Sequence, residues 1–185
     1  MTLPLPSWVV SVLLEDDLLA LNRAVGIVRR RNLAVASLSL GPGARAGVVR
    51  LTCVLACDDS AVQRMGNQLR KMVGVLEVMV TPESECITRE HALIRVRAAA
   101  PRLAELLDTA ALFQASVLEE GPQELVLEVT ASPPILGSLL RALEPFGVLD
   151  LVRGGAVALP LPQLPDASGA PVASAVPRVA TAIPA

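Results

Sequence analysis

Along the first eighty residues the spacing of apolar side chains changes period several times, and each change marks an element. Trp8 to Leu14 is a β-rich apolar run. Leu18, Leu21, Val25 and Val28 then recur at helical spacing, which predicts a helix from Leu18 to Arg31, stopped by Asn32. Leu33 to Leu40 alternates as a strand with Val35, Ser37 and Ser39 on one face, and "GPGARAG" (Gly41 to Gly47) is a turn. Val48 to Ala56 predicts another strand. Asp58 or Asp59 can cap a helix that runs through Met72 with Val62, Met65 and Leu69 inward, and Val73 to Val80 closes the set as a fourth strand. The order β-α-β-β-α-β is the ferredoxin-like unit.

The same order recurs after a polar connector, "TPESECIT" (Thr81 to Thr88). His91 to Ala98 predicts a strand. Pro101 sits where a helix start tolerates it, with the helix running to about Ala111. Gln114 to Glu119 and Glu124 to Thr130 predict strands around "EGPQ". Pro133 or Pro134 opens a helix that ends near Glu144, Gly147 to Val152 is a strand, and "GGAVAL" adds one more. The fold class expected is α+β, with two ferredoxin-like units in tandem. The expected division is residues 1–80, a linker at 81–89, a second domain at 90–159, and a tail at 160–185. The tail holds six prolines, seven alanines and two charges, has no sustained period, and reads as disordered.

Composition narrows what such a chain can do. Hydrophobic residues make up 52% of the 185 and aromatics only 2%, so the core must be built from Val, Leu, Ile and Ala. The scarcity of aromatics argues against base-stacking recognition of single-stranded nucleic acid, and a net charge of -2 gives no pull toward nucleic acid or anionic membrane. Arg29, Arg30 and Arg31 suit a helix C-terminus. The N-terminus has no basic segment before a short apolar run, so neither a signal peptide nor a membrane span is expected. Cys53, Cys57 and Cys86 follow no zinc spacing and read as inert thiols in a reducing cytosol, hence a cytoplasmic protein.

Catalytic chemistry is not legible. The single histidine, His91, has no evident partner to orient it, the serines lack histidine–carboxylate company, and "GPGARAG" lacks the lysine of a phosphate loop. Asp16 and Asp17, where the first strand meets the first helix, are adjacent and cannot share a helical face as an acid/base pair. They read as helix-entry residues that complement the helix dipole.

Four stretches resemble one family. "SVLLEDDLLALNRAVGIVRRRNLAVASLSLGP" is similar to the opening of the small, regulatory subunit of acetolactate synthase. "QLRKMVGVLEV" resembles its second helix and fourth strand, "REHALIRV" the start of its second domain, and "VRGGAVAL" its closing strand pair. The resemblance covers about Trp8 to Leu159. It implies an N-terminal ACT domain, a homodimer through that domain, and a separate catalytic large subunit that holds thiamine diphosphate, magnesium and often flavin. The chain itself would hold no cofactor and no metal. A branched-chain amino acid effector would sit between the loop after the first strand and the second strand of the partner, which places Asp16, Asp17, Leu19, Ala20, Ala34 and Val35 at the site. Three of these depart from the family's residues. Asp16 stands for an amide, Leu19 for a glycine and Ala34 for an asparagine, so part of the site's polar equipment is missing. The resemblance implies a non-catalytic subunit that activates the large subunit in valine, leucine and isoleucine biosynthesis. The alternative is a stand-alone ACT-type sensor that controls another enzyme. A small independent enzyme on the same scaffold is the third reading, and lacks a polar constellation to support it.

Overall fold

The computed structural model describes residues 5–162. Two four-stranded antiparallel arrays each carry a pair of helices on one face. In the first, β1 (Ser7–Glu15), α1 (Leu18–Arg30), β2 (Ala34–Pro42), β3 (Val48–Ala56), α2 (Asp59–Arg70) and β4 (Val75–Pro82) give the strand order β2-β3-β1-β4. In the second, β5 (Cys86–Arg97), α3 (Leu103–Leu112), β6 (Ser116–Glu120), β7 (Glu124–Ala131), α4 (Pro133–Leu143) and β8 (Val148–Arg153) repeat it as β6-β7-β5-β8. Each half is a βαββαβ unit, as the change of period predicts.

Each half has its own aliphatic core between sheet and helices. Val10, Val12 and Leu14 of β1 and Leu51, Cys53 and Leu55 of β3 face Ile27 and Val28 of α1 and Val62, Met65 and Leu69 of α2. The α2 face is the one predicted. In α1 the inward stripe is Ala20, Ala24, Ile27 and Val28, with Leu21 and Val25 only partly covered and Leu18 in solvent. The helix is therefore turned slightly from the expected face, and two alanines, not leucines, meet the sheet. Asn32 stops α1 in a left-handed conformation, φ 48°. In the second half Ala92, Ile94 and Val96 of β5 and Leu125, Leu127 and Val129 of β7 pack on Leu106, Leu136, Leu139 and Leu143.

The expected linker is structured. Thr81 and Pro82 finish β4, Glu83–Glu85 form one 3-10 turn, and Cys86 begins β5. The first residues of β5 are paired by β9 (Val157–Pro160), with Ile87 opposite Leu159 and Arg89 opposite Val157. This β5–β9 ribbon lies on the face of the first sheet that the helices leave open, where Ala156 and Ala158 pack on Val9 and Val54. The expected tail therefore begins too early. Pro160 belongs to β9, and the Leu161 N–H donates to the Glu85 carbonyl at 2.8 Å. The remainder of that expected tail, 163–185, lies outside the described residues.

Candidate functional site

The loop from β1 into α1 is held by two neighbours and by its own cap. The Glu15 N–H donates to the Gly74 carbonyl and the Asp16 N–H to the Gly47 carbonyl, both at 2.9 Å. Asp17 is the helix cap. Its carboxylate accepts from the Leu19 N–H at 3.1 Å and the Ala20 N–H at 3.3 Å, which satisfies two of the amides that a helix start leaves open. Asp16 makes no side-chain hydrogen bond among the described residues and faces solvent. Of the two acids, Asp17 is committed to the helix and Asp16 is free to meet a ligand.

Leu19 is half exposed, whereas Ala20 is buried. Gly74 explains that burial. It adopts φ +86°, and a Cβ there would lie 2.9 Å from the Ala20 Cβ, so the turn before β4 closes on α1 only with glycine. Asp16, Asp17, Leu19 and Ala20 thus form one end of the sheet. Ala34 and Val35 stand at the other end, where β2 starts, about 25 Å away along a nine-residue strand. One chain does not bring the six residues together. β2 is an edge strand, paired only with β3 among the described residues, and Val35, Leu38 and Leu40 are exposed along it. A register shift lies between Val35 and Ser37.

Ser37 and Ser39 share one face of β2, but the register shift before Ser37 sets Val35, expected with them, opposite Leu55 on the other face. The two serines have a task not visible in the sequence. The Ala156 N–H donates to Ser37 Oγ at 2.6 Å, and Ser39 Oγ donates to the Ala156 carbonyl at 2.7 Å. Both sides of one peptide position are held by β2 side chains. Two polar residues at alternate places in an apolar strand were the only signal.

The other chemistry-bearing residues are structural. His91 does have partners, contrary to expectation: Nδ1 lies 3.1 Å from Thr130 Oγ1 and Nε2 lies 3.6 Å from a Glu128 oxygen. All three sit half exposed on the helix-free face of the second sheet, with no nucleophile among them. Burial pushes the Cys53 thiol up to about 12. The Cys57 thiol is raised by burial and by Asp58, and that of Cys86 by burial and then by Glu83 and Glu85. All three are poor thiolates at neutral pH. Glu90, nearly buried in β5, is paired by Arg153 of β8, whose Nε donates to it at 3.2 Å. No group of three or more metal-ligating side chains converges among the described residues.

Two βαββαβ units, each with its helices on one face of an antiparallel sheet, make this a tandem ferredoxin-like fold of the ACT type. A family model described as the small subunit of acetolactate synthase matches residues 89–161. The chain is 32% identical over 154 residues to the acetolactate synthase small subunit of Mycolicibacterium smegmatis, which covers 83% of this chain and 91% of that one. With the small subunit of Mycobacterium leprae the identity is 33% over 155 residues, covering 84% and 92%. The crystal structure of the small subunit from Thermotoga maritima has the same fold, with a TM-score of 0.77 over 85% of this chain and 99% of that chain at 22% identity. The chain belongs to the acetolactate synthase small-subunit family. It is accordingly a regulatory subunit, and not itself the catalyst.

Proposed function

We propose that the subunit works as a two-fold dimer through β2, activates a catalytic large subunit, and responds weakly to valine. The membership in the family implies the large-subunit partner. We assign thiamine diphosphate, magnesium and any flavin to that partner, the complex to the cytoplasm, and the pathway to branched-chain amino acid synthesis. No helix among the described residues is long and apolar enough to cross a membrane.

The observation that carries the dimer is the state of β2. It is nine residues long, unpaired along one edge among the described residues, and exposes Val35, Leu38 and Leu40. Such an edge invites pairing with another strand. Antiparallel pairing with its own copy about the strand's middle sets Ala34 opposite Pro42 of the partner subunit. Pro42 pairs with Val49, and Val48 pairs with Glu15, so that end of the sheet is the Asp16 loop. The two halves of the expected effector site, far apart in one chain, then meet across the two-fold axis.

The residues found there favour a weak grip on an amino acid. Asp16 is a free acceptor for an ammonium. Leu19 fills volume, and Ala34 offers neither donor nor acceptor, which forfeits about 1 kcal/mol for each missing hydrogen bond. Light scattering of the full chain at micromolar concentration is expected to give twice the monomer mass, and a monomer would overturn the dimer. Calorimetric titration with valine is expected to show no binding below the millimolar range. The double change Leu19→Gly with Ala34→Asn should strengthen it about fivefold or more. Micromolar affinity in the unmodified dimer would mean that Asp16 and backbone amides suffice.

A further inference from the structure

The helix-free face of the first sheet carries a cavity toward the end where the Asp16 loop lies, but no residue of that loop lines it. It has a volume of about 380 Å³, within the usual span for small-ligand sites. The floor is Thr52 of β3 with Ser39 and Gly41 of β2. One wall is the ribbon, through Ile87 of β5 and Val157 and Leu159 of β9. Leu40 and Pro42 close the β2 side. Ile87, Val157 and Leu159 are all substantially exposed, although the ribbon's other face is buried.

Two arginines, Arg50 and Arg89, stand in this apolar lining. The Arg50 guanidinium donates to Ser11 Oγ at 2.6 Å, and that of Arg89 to the Thr88 carbonyl at 2.9 Å. Neither enters an ion pair among the described residues. Among the described residues no aspartate or glutamate lines the cavity. A guanidinium has a fork of donors matched to a carboxylate, and most of each fork here is unspent on protein groups.

We infer that this cavity binds a small aliphatic monocarboxylate, its anion held between Arg50 and Arg89 and its hydrocarbon against Ile87, Val157 and Leu159. The absence of a lining carboxylate selects among such acids. An α-amino acid brings an ammonium that finds no counter-charge there, and an unpaired charge in an apolar site is costly. A 2-oxo acid or a simple branched acid carries the same hydrocarbon and carboxylate without it. The ligand class is therefore the deaminated counterpart of an aliphatic amino acid.

The test is calorimetric titration of the full chain with 4-methyl-2-oxopentanoate and 3-methylbutanoate, against leucine and 3-methylbutan-1-ol. Both acids are expected to bind in the millimolar range or tighter. Leucine and the neutral alcohol are expected to be about tenfold weaker. Arg50→Gln and Arg89→Gln should each weaken the acids about tenfold, with the far-ultraviolet spectrum unchanged. Ile87→Trp, at an exposed position, should fill the cavity and abolish binding without touching a charge. Leu19→Gly with Ala34→Asn should leave the acid titration as it is, whatever becomes of valine. Absence of binding at about 10 mM acid would overturn the inference. So would wild-type affinity in the double arginine variant, or loss of acid binding on changing Leu19 and Ala34.

Discussion

Asp58 and Asp17 cap the two helices of the first half, and Asp58 ties its helix to pH. Its Oδ1 accepts from the Ser60 hydroxyl and from the Ala61 N–H, both at 2.7 Å. These bonds, the hydroxyl first, hold its carboxyl below the usual carboxylate range. A carboxyl depressed by folding stabilises the folded state above its unfolded value, and that contribution is lost as pH falls through the folded value. Asp58→Ala is therefore expected to lower Tm by about 3 °C at pH 7. The gap between variant and parent should narrow as the pH is taken below the ordinary carboxylate range. A gap that stays constant in acid would assign the cap to geometry alone. At the other helix start the Asp17 carboxylate is spent on the Leu19 and Ala20 N–H groups, while Asp16, one residue away, makes no side-chain hydrogen bond among the described residues.

Among the elements, β2 has the most to do. One edge pairs with β3, the other has no partner among the described residues, and two of its serines grip Ala156. Ser37→Ala with Ser39→Ala would leave the Ala156 N–H and carbonyl without those partners. The expected cost is about 2 kcal/mol for the pair, read in urea unfolding. No loss would mean that water replaces both hydroxyls. β5 is the second telling element. Its helix-side residues in the second half are apolar, but its first part buries Thr88 and Glu90, and Glu90 is tolerated because Arg153 pairs it. The Thr88 hydroxyl has no hydrogen-bond partner among the described residues, although Thr88 is buried.

For the whole molecule the question is what joins two units that each have a core. The join is the ribbon over the first sheet, with Val9, Val54, Ala156 and Ala158 forming a small third cluster. Gly155 makes the approach possible. A Cβ there would lie 2.5 Å from the Leu38 carbonyl oxygen and 2.8 Å from the Ser39 Cβ, so one methyl group is enough to lift the chain off β2. Gly155→Ala is expected to cost about 1–3 kcal/mol by overpacking. In scanning calorimetry the parent is expected to unfold in one transition, and the variant to separate the unfolding of the halves. An unchanged single transition would show that the ribbon is not the join.

Local chemistry was enough for most of the elements and for the family. Most helices and strands followed from apolar period because one face is buried, although β6 has no buried residue, and Asp58, Asn32 and Pro133 act within a turn of where they stand. The "GG" of "VRGGAVAL" was legible as part of a closing strand pair. Its purpose was not, since what Gly155 meets is Leu38 and Ser39, more than a hundred residues earlier. The first part of β5 read as a polar connector for the same reason. Thr88 and Glu90 look solvated until β9 and Arg153, some sixty residues on, cover and pair them. His91 acquired Thr130 and Glu128 only through the β5–β7 register. The separation of the Asp16 loop from Ala34, and the meeting of Arg50 and Arg89 at one cavity, were likewise decided by strand pairing. Periodicity reports which face of a segment is buried. It carries no record of which distant segment does the burying, and that is settled only when the sheets assemble.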